Sequence, residues 1–406
     1  MLPTRFTVFG EVALLLATAL VAVTGTSSVR AQPPAAAECL EPAAWFSLDS
    51  GRPKKVVGAE LLRELARRDI VLLGEQHDVA DHHRWQLQTL AALYLLRPRM
   101  VIGLESFPRR VQPALERWVA GELSEKALLD QSDWDRVWTY PAELYMPLFQ
   151  FARLNRIPMV ALNVERSLTQ AVTRQGWDAV PEAQREGVSR PAAPSPAYVD
   201  VLFETYKQHA REGRREGQAS RDDADFKNFI ASQTTWDRAM AEALARALRV
   251  GERGERPLVV GIIGSGHLRY GHGVPHQLRD LGVVSVATLL PIEAHADCAG
   301  AKTGMADALF TIANTPREPT PRPRLGVRLQ QSKDEIILVE VVPGSLAEAS
   351  GLQRGDRILK IAGKAVSEVG AVITAVRAQP AGTWLPMQVR RGDDRLDIIV
   401  RFAHEP

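Results

Sequence analysis

Between residues 70 and 289 the chain repeats one pattern, a short unbroken apolar run followed by a polar residue and then a longer amphipathic stretch. The runs are Ile70–Leu73, Met100–Leu104, Pro158–Leu162, Leu258–Ile263 and Val283–Leu289. Apolar runs this short and without alternation suit strands covered on both faces. Between them, Ala80–Leu96, Arg109–Ala120, Glu143–Asn155 and Asp222–Val250 have helical periodicity. The alternation predicts an α/β domain, a mainly parallel sheet flanked by helices. In such a sheet ligands collect beyond the carboxyl ends of the strands, where loops and helix N-termini converge.

The residues at those ends are therefore the first candidates for chemistry. Ile70–Leu73 runs into Gly74-Glu75-Gln76-His77-Asp78, Met100–Leu104 into Glu105, Pro158–Leu162 into Asn163, and Leu258–Ile263 into Gly264-Ser265-Gly266-His267. Asp78 and Asn163 are accounted for as caps or turn formers. A carboxyl such as Glu105, emerging from an apolar strand, costs free energy unless it has a partner. Glu75 and His77 beside His267 offer a carboxylate and two imidazoles, and His77, His267 and Glu105 form the candidate ligand set for a divalent metal ion. A metal held there would polarise a carbonyl and acidify a bound water, with Glu75 or Glu105 as general base. His82, His83, His272 and His276 are read as solvated or packing residues. His-Glu-x-x-His and Gly-x-Ser-x-Gly are both absent, which removes the usual helix zincin and the nucleophile elbow.

Composition narrows the partners. Fifty Lys and Arg against forty-eight Asp and Glu leave a net charge of +2, so no strong field favours nucleic acid. Two cysteines are too few for a four-cysteine zinc site or a cysteine-ligated iron–sulfur cluster. An apolar run from Val12 to Val23 follows Arg5, and beyond it Val29-Arg30-Ala31 fits a small-x-small cleavage site, which together read as a signal peptide over residues 1–31. The mature protein is then exported, periplasmic or secreted. Lipidation is not expected, because Glu38 rather than a small residue precedes Cys39. An oxidising space permits a Cys39–Cys298 disulfide, the alternative being two unpaired buried thiols. A Pro-rich stretch, residues 316–323, marks a linker, and the expected organisation is a main domain over 40–300, a linker over 301–323 and a small β-rich domain over 324–403.

Two resemblances follow from particular segments. VLLGEQHDVADHH, VIGLESF, YMPLFQFARLNRIPMVALNVE, SQTTWDRAMAEAL and IIGSGHLRYGHGVPHQL, in that order, resemble the ChaN family of the haem-binding uptake, Tiki-like superfamily. Its paired Gly-x-x-His signature is matched by Gly74–His77 and Gly264–His267, its acidic position by Glu105, and a helix motif by Gln233, Trp236, Asp237 and Met240. The resemblance implies either haem binding linked to iron acquisition, with tyrosine ligation at a homodimer interface, or metal-dependent peptide hydrolysis with the paired histidines and glutamate. For haem, Tyr145 and Tyr140, next to Trp134 and Trp138, are the candidate oxygen donors. A scaffold without chemistry remains a third possibility. After the linker, Leu325-Gly326-Val327 and Gly351-Leu352-Gln353-Arg354-Gly355-Asp356-Arg357-Ile358-Leu359 resemble a bacterial-type PDZ domain. Such a domain adds a partner's peptide tail as an extra strand, and Leu325, Gly326, Val327, Val372 and Ile373 are the candidate groove residues.

Overall fold

The computed structural model describes residues 40–48, 52–212, 220–249, 256–294, 301–313, 323–332 and 335–402. The expected signal peptide and both cysteines lie outside the described residues.

The strands of the first domain, in chain order, are β1 (Trp45–Ser47), β2 (Lys54–Val56), β3 (Ile70–Glu75), β4 (Met100–Pro108), β5 (Met159–Asn163), β6 (Leu258–Gly264), β7 (Val286–Glu293) and β8 (Ala308–Ile312). Its helices are α1 (Gly58–Leu65), α2 (Ala80–Leu96), α3 (Gln112–Val119), α4 (Glu125–Ser132), α5 (Trp134–Val137), α6 (Ala142–Leu154), α7 (Arg166–Gln175), α8 (Pro196–Glu212), α9 (Ala224–Ala247) and α10 (Val274–Asp280). The eight strands form one sheet in the order β2-β1-β8-β7-β3-β6-β4-β5. From β8 to β5 all pairings are parallel, and only β1 and β2 run antiparallel at the edge. The sheet's central strands β3, β4 and β6 are buried on both faces. One face packs against α2, α3 and α6 through Trp85, Leu115 and Phe149, the other against α9 and α10 through Met240, Leu244 and Leu278. This double burial is why the strands read as continuous apolar runs.

Two boundaries differ from the sequence reading. β8 lies inside the stretch expected to be linker, so the first domain extends to Ile312 rather than ending at 300. β4 does not stop at Leu104 but runs on to Pro108, with a register shift against β5 between Leu104 and Pro108. Glu105 is therefore an in-strand residue at a bulge, not the first residue of a loop. Bulges re-aim side chains at sheet ends.

The second domain holds β9 (Val327–Ser332), β10 (Glu335–Val341), α11 (Leu346–Ala349), β11 (Arg357–Ile361), β12 (Lys364–Ala365), α12 (Val369–Arg377), β13 (Trp384–Arg391) and β14 (Asp394–Arg401). Its antiparallel sheet runs β14-β13-β11-β10-β9, with β12 on β11. Asp356, buried in the turn before β11, accepts from the Gln353 backbone N–H and from the Arg391 guanidinium, tying that turn to β13. Among the described residues no helix is long and apolar enough to cross a membrane.

Candidate functional site

β3, β4 and β6 lie side by side in the middle of the sheet; Glu75 and Gly264 end β3 and β6, and Glu105 sits at the bulge of β4. Parallel register brings Glu75 opposite Gly264. The glycines of the two Gly-x-x-His segments are needed for close packing here. A Cβ on Gly264 would stand 2.8 Å from Cε1 of His77, and one on Gly74 would stand 2.4 Å from Leu290 Cδ2 and 2.7 Å from Ser265 Oγ.

Each histidine is held by a carboxylate, and each carboxylate by a tyrosine. His77 Nδ1 donates to Glu75 Oε1 at 2.7 Å, and Tyr145 Oη donates to the same oxygen at 2.7 Å. Gln86 Nε2 donates to Glu75 Oε2 at 2.9 Å. On the other side His267 Nδ1 donates to Asp237 Oδ1 at 2.6 Å, and Tyr198 Oη donates to Asp237 Oδ2 at 2.9 Å. Between the two arms, Glu105 Oε2 accepts from the Gly264 N–H at 2.5 Å, while Oε1 is buried without a hydrogen bond and lies 3.7 Å from His267 Nε2. A carboxylate on Nδ1 fixes the ring and leaves Nε2 as the working nitrogen.

The charges follow from this wiring. Burial alone would raise the Glu75 carboxyl, but the hydrogen bond from His77, the nearby His83 and the Tyr145 hydroxyl hold it below the usual carboxylate range. Burial would lower His77, yet its bond to Glu75 and the charge of Glu105 raise it. For His267 the same burial is overcome by Asp237 and Glu105, and the imidazole is pushed up to about 9. Burial and Glu75 drive the Tyr145 phenol far above its ordinary value, and burial and Asp237 do the same to Tyr198.

These contacts reassign several expected roles. Tyr145 is only 1% exposed and spends its hydroxyl on Glu75, so it is a buried donor and not a haem ligand. Glu75 is 3% exposed and accepts from three side chains, so it orients His77 rather than standing open to a substrate, as a general base would need. Of the two roles expected for His82 and His83, solvated or packing, both take the packing one and are buried. His82 Nδ1 accepts from the Gln76 N–H, and His83 sits against Gln86 and Glu75. His77, Glu105 and His267 do converge, but among the described residues no group of three His, Cys, Asp or Glu side chains is arranged to hold a metal ion. Asp237 entered the sequence reading only as a member of the helix motif that the resemblance matches, with no chemical role; its place midway along α9, fully buried, is where its partnership with His267 is set. Tyr198 and Gln86 carry no comparable mark.

A cavity of about 500 Å³ opens beside His77, walled by Trp138, Tyr140 and Trp236. The His77 ring stands 4.7 Å from Trp138 and 5.0 Å from Tyr140 between ring centres, and His267 stands 4.8 Å from Trp236. Residues 61–278, more than half of the chain, match the family described as haem-binding uptake, Tiki superfamily, ChaN.

The chain belongs to that family.

It is a haem-binding family, and residues 323–401 match the PDZ domain, a peptide-binding module. A solved structure of ChaN from Campylobacter jejuni, described as binding haem cofacially, is 19% identical over 66% of this chain and 98% of that one, with a TM-score of 0.49. Serine protease HTRA1 of Xenopus tropicalis is 40% identical over 63 residues, 16% of this chain, which spans only 13% of that relative's length. The HtrA3 PDZ domain, solved with a phage-derived ligand FGRWV, is 26% identical over 19% of this chain and 82% of that one, with a TM-score of 0.18.

In the PDZ domain of this ChaN-family protein, β9 is an edge strand beside α12. Gly326 has φ +76°, and a Cβ there would strike Ser345 Cβ at 2.3 Å, so this turn is restricted to glycine. Half-buried Val327 and Leu329 on β9, half-buried Val369 and 41% exposed Ile373 on α12 present apolar surface. Leu325 and Val372 do not, being buried in the domain core at 5% and 1% exposure. Their side chains are packing residues, which removes Val372 from the groove lining and leaves Leu325 only the backbone N–H role expected for its turn.

Proposed function

We propose that this protein binds haem in the cavity beside His77 and docks a partner's peptide tail through its PDZ domain, as an exported protein serving iron or haem acquisition. The observation that carries the haem reading is the His77 imidazole, fixed through Nδ1 by Glu75 and facing an aromatic-walled cavity of about 500 Å³. The residues present fit the group: aromatic rings can lie against a porphyrin, and His77 Nε2 is the kind of axial donor found on haem iron. Tyr140, on the same wall, is the alternative oxygen donor, whereas Tyr145 is occupied by Glu75. Bound haem supplies the iron centre. The protein's part is to orient His77, keep Glu75 ionised beside it and limit water at the ring face.

Titration with ferric haem tests this reading. The Soret band shifts on binding, the affinity collapses in His77→Ala, and Tyr145→Phe retains the wild-type spectrum. A wild-type spectrum in His77→Ala with loss in Tyr140→Phe would move ligation to the tyrosine. No Soret change in the wild type would remove haem altogether. For the PDZ domain the probe is the peptide FGRWV, with Ile373→Glu as the groove variant.

A second reading is favoured by one atom, the buried Glu105 Oε1 that lacks a hydrogen bond beside His267 Nε2. A divalent ion there would satisfy it, and both histidines are already oriented through Nδ1 as metal-bound imidazoles are. These three side chains are not arranged to hold an ion as they stand, so His77, His267 and Glu105 would have to close around it for peptide hydrolysis, with the PDZ domain selecting substrates. Metal content after native purification, with peptidase activity abolished in His267→Ala, decides for it.

A further inference from the structure

Three guanidiniums stand on the wall of the cavity, Arg110, Arg136 and Arg166, against one carboxylate, Glu165. Arg110 is engaged: its Nε lies 2.6 Å from Glu165 Oε1. Arg136 pairs with Asp133 three residues earlier, an exposed pair of the kind that contributes little and that an incoming carboxylate can displace. Arg166, the first residue of α7, is exposed and forms no ion pair with a described residue. The same cavity has Trp138, Tyr140 and Trp236 on its walls. Flat apolar rings, one unspent guanidinium and a second held only by an exposed pair, around one space, match a ligand that is flat and aromatic in the middle and anionic at its edge. Arginine binds carboxylates through two parallel N–H donors, which fixes orientation as well as charge.

We infer that the cavity selects a planar aromatic ligand by its carboxylates, with Arg166 as the principal docking cation and Arg136 as the second. The inference rests on the haem reading and goes past it, because a bond to iron says nothing about what grips the edge of the ring. It names the haem carboxylates as the recognised groups and two arginines as the residues that set specificity. Neither arginine touches the histidine arms, so their loss changes which ring is bound and leaves the iron spectrum as it is.

The experiment compares ferric haem with its dimethyl ester, in which both carboxylates are masked, on the full-length protein in one mixed solvent. The expected result is that haem binds at least about tenfold more tightly than the ester, the ratio for one well-formed charged hydrogen-bonded pair. Arg166→Gln weakens haem by about that factor, leaves the ester unchanged and keeps the wild-type Soret position; Arg166→Lys restores part of the preference. Arg136→Gln gives a smaller loss of the same kind, and Arg174→Gln, exposed on the last turn of α7, gives none. Equal affinity for haem and ester in the wild type overturns the inference while the haem reading stands. Weakening of both ligands alike by Arg166→Gln also overturns it, because that is the mark of a disturbed fold. If neither ligand shifts the spectrum, the haem reading falls and takes this inference with it.

Discussion

His267 carries a positive charge deep in the protein because Asp237 is there to meet it. Its folded pKa of about 9 lies above the ordinary value of 6.5, so the folded state binds its proton more tightly than the unfolded chain does. The resulting stability is fully present below pH 6.5 and is lost as pH rises through about 9. Haem-free, chelator-treated protein should therefore lose on the order of 3 kcal/mol between those limits. Asp237→Asn should flatten that dependence and be less stable than the wild type at pH 6.5. Urea unfolding midpoints across the range check this; an unchanged slope in the variant would mean that Asp237 does not hold the proton. Tyr145 shows the limit of reading single residues in sequence. Its neighbours Trp134 and Trp138 marked it as close to the site, but a tyrosine's place in the sequence is the same whether its hydroxyl is free or bound to Glu75, 70 positions away. The histidines were legible because each follows a glycine and a strand end, a context that sequence does record.

At the scale of elements, α2 was readable from end to end, because its periodicity stops where Pro98 ends it. β8 was not, since a five-residue apolar run next to Pro-rich sequence has no period long enough to separate a strand from a linker. On α12, helical spacing marked both Val372 and Ile373 as apolar, yet neighbouring positions on a helix point about 100° apart. Val372 faces the core, whereas Ile373 is 41% exposed. The strand end at Gly264 gives a prediction of the same scale. In Gly264→Ala the new methyl meets the His77 ring, which Glu75 prevents from simply turning away. Overpacking of this kind costs about 1–3 kcal/mol, and haem affinity should fall by more than tenfold as His77 is displaced. Gly266→Ala, with nothing within 4 Å of its Cβ, should match the wild type in both melting and haem titration. Equal haem binding by the two variants would show that the strand end does not set the position of His77.

At the scale of the whole molecule, the second domain touches an element that belongs to the site. α12 of the PDZ domain packs on α5, and Glu368, just before α12, lies near enough to Arg136 to raise its pKa, although Asp133 does so more strongly. Arg136 lines the cavity, and Trp138 and Tyr140 follow directly from α5. A peptide added along β9 must wedge against α12, the other wall of its groove. Any shift of α12 is then passed to the helix that positions two cavity aromatics. Saturating the PDZ domain with FGRWV should change the haem dissociation constant severalfold, within the range of about 5 to 150 that such couplings span. Thermodynamic linkage makes the test strict, for haem must change the peptide's affinity by the same factor in the same direction. Ile373→Glu, which blocks the groove, should abolish the peptide's effect on haem while leaving haem binding without peptide unchanged. Haem titrations superimposable with and without saturating peptide would mean that the contact between α12 and α5 transmits nothing, and that the domains share a chain without sharing a site.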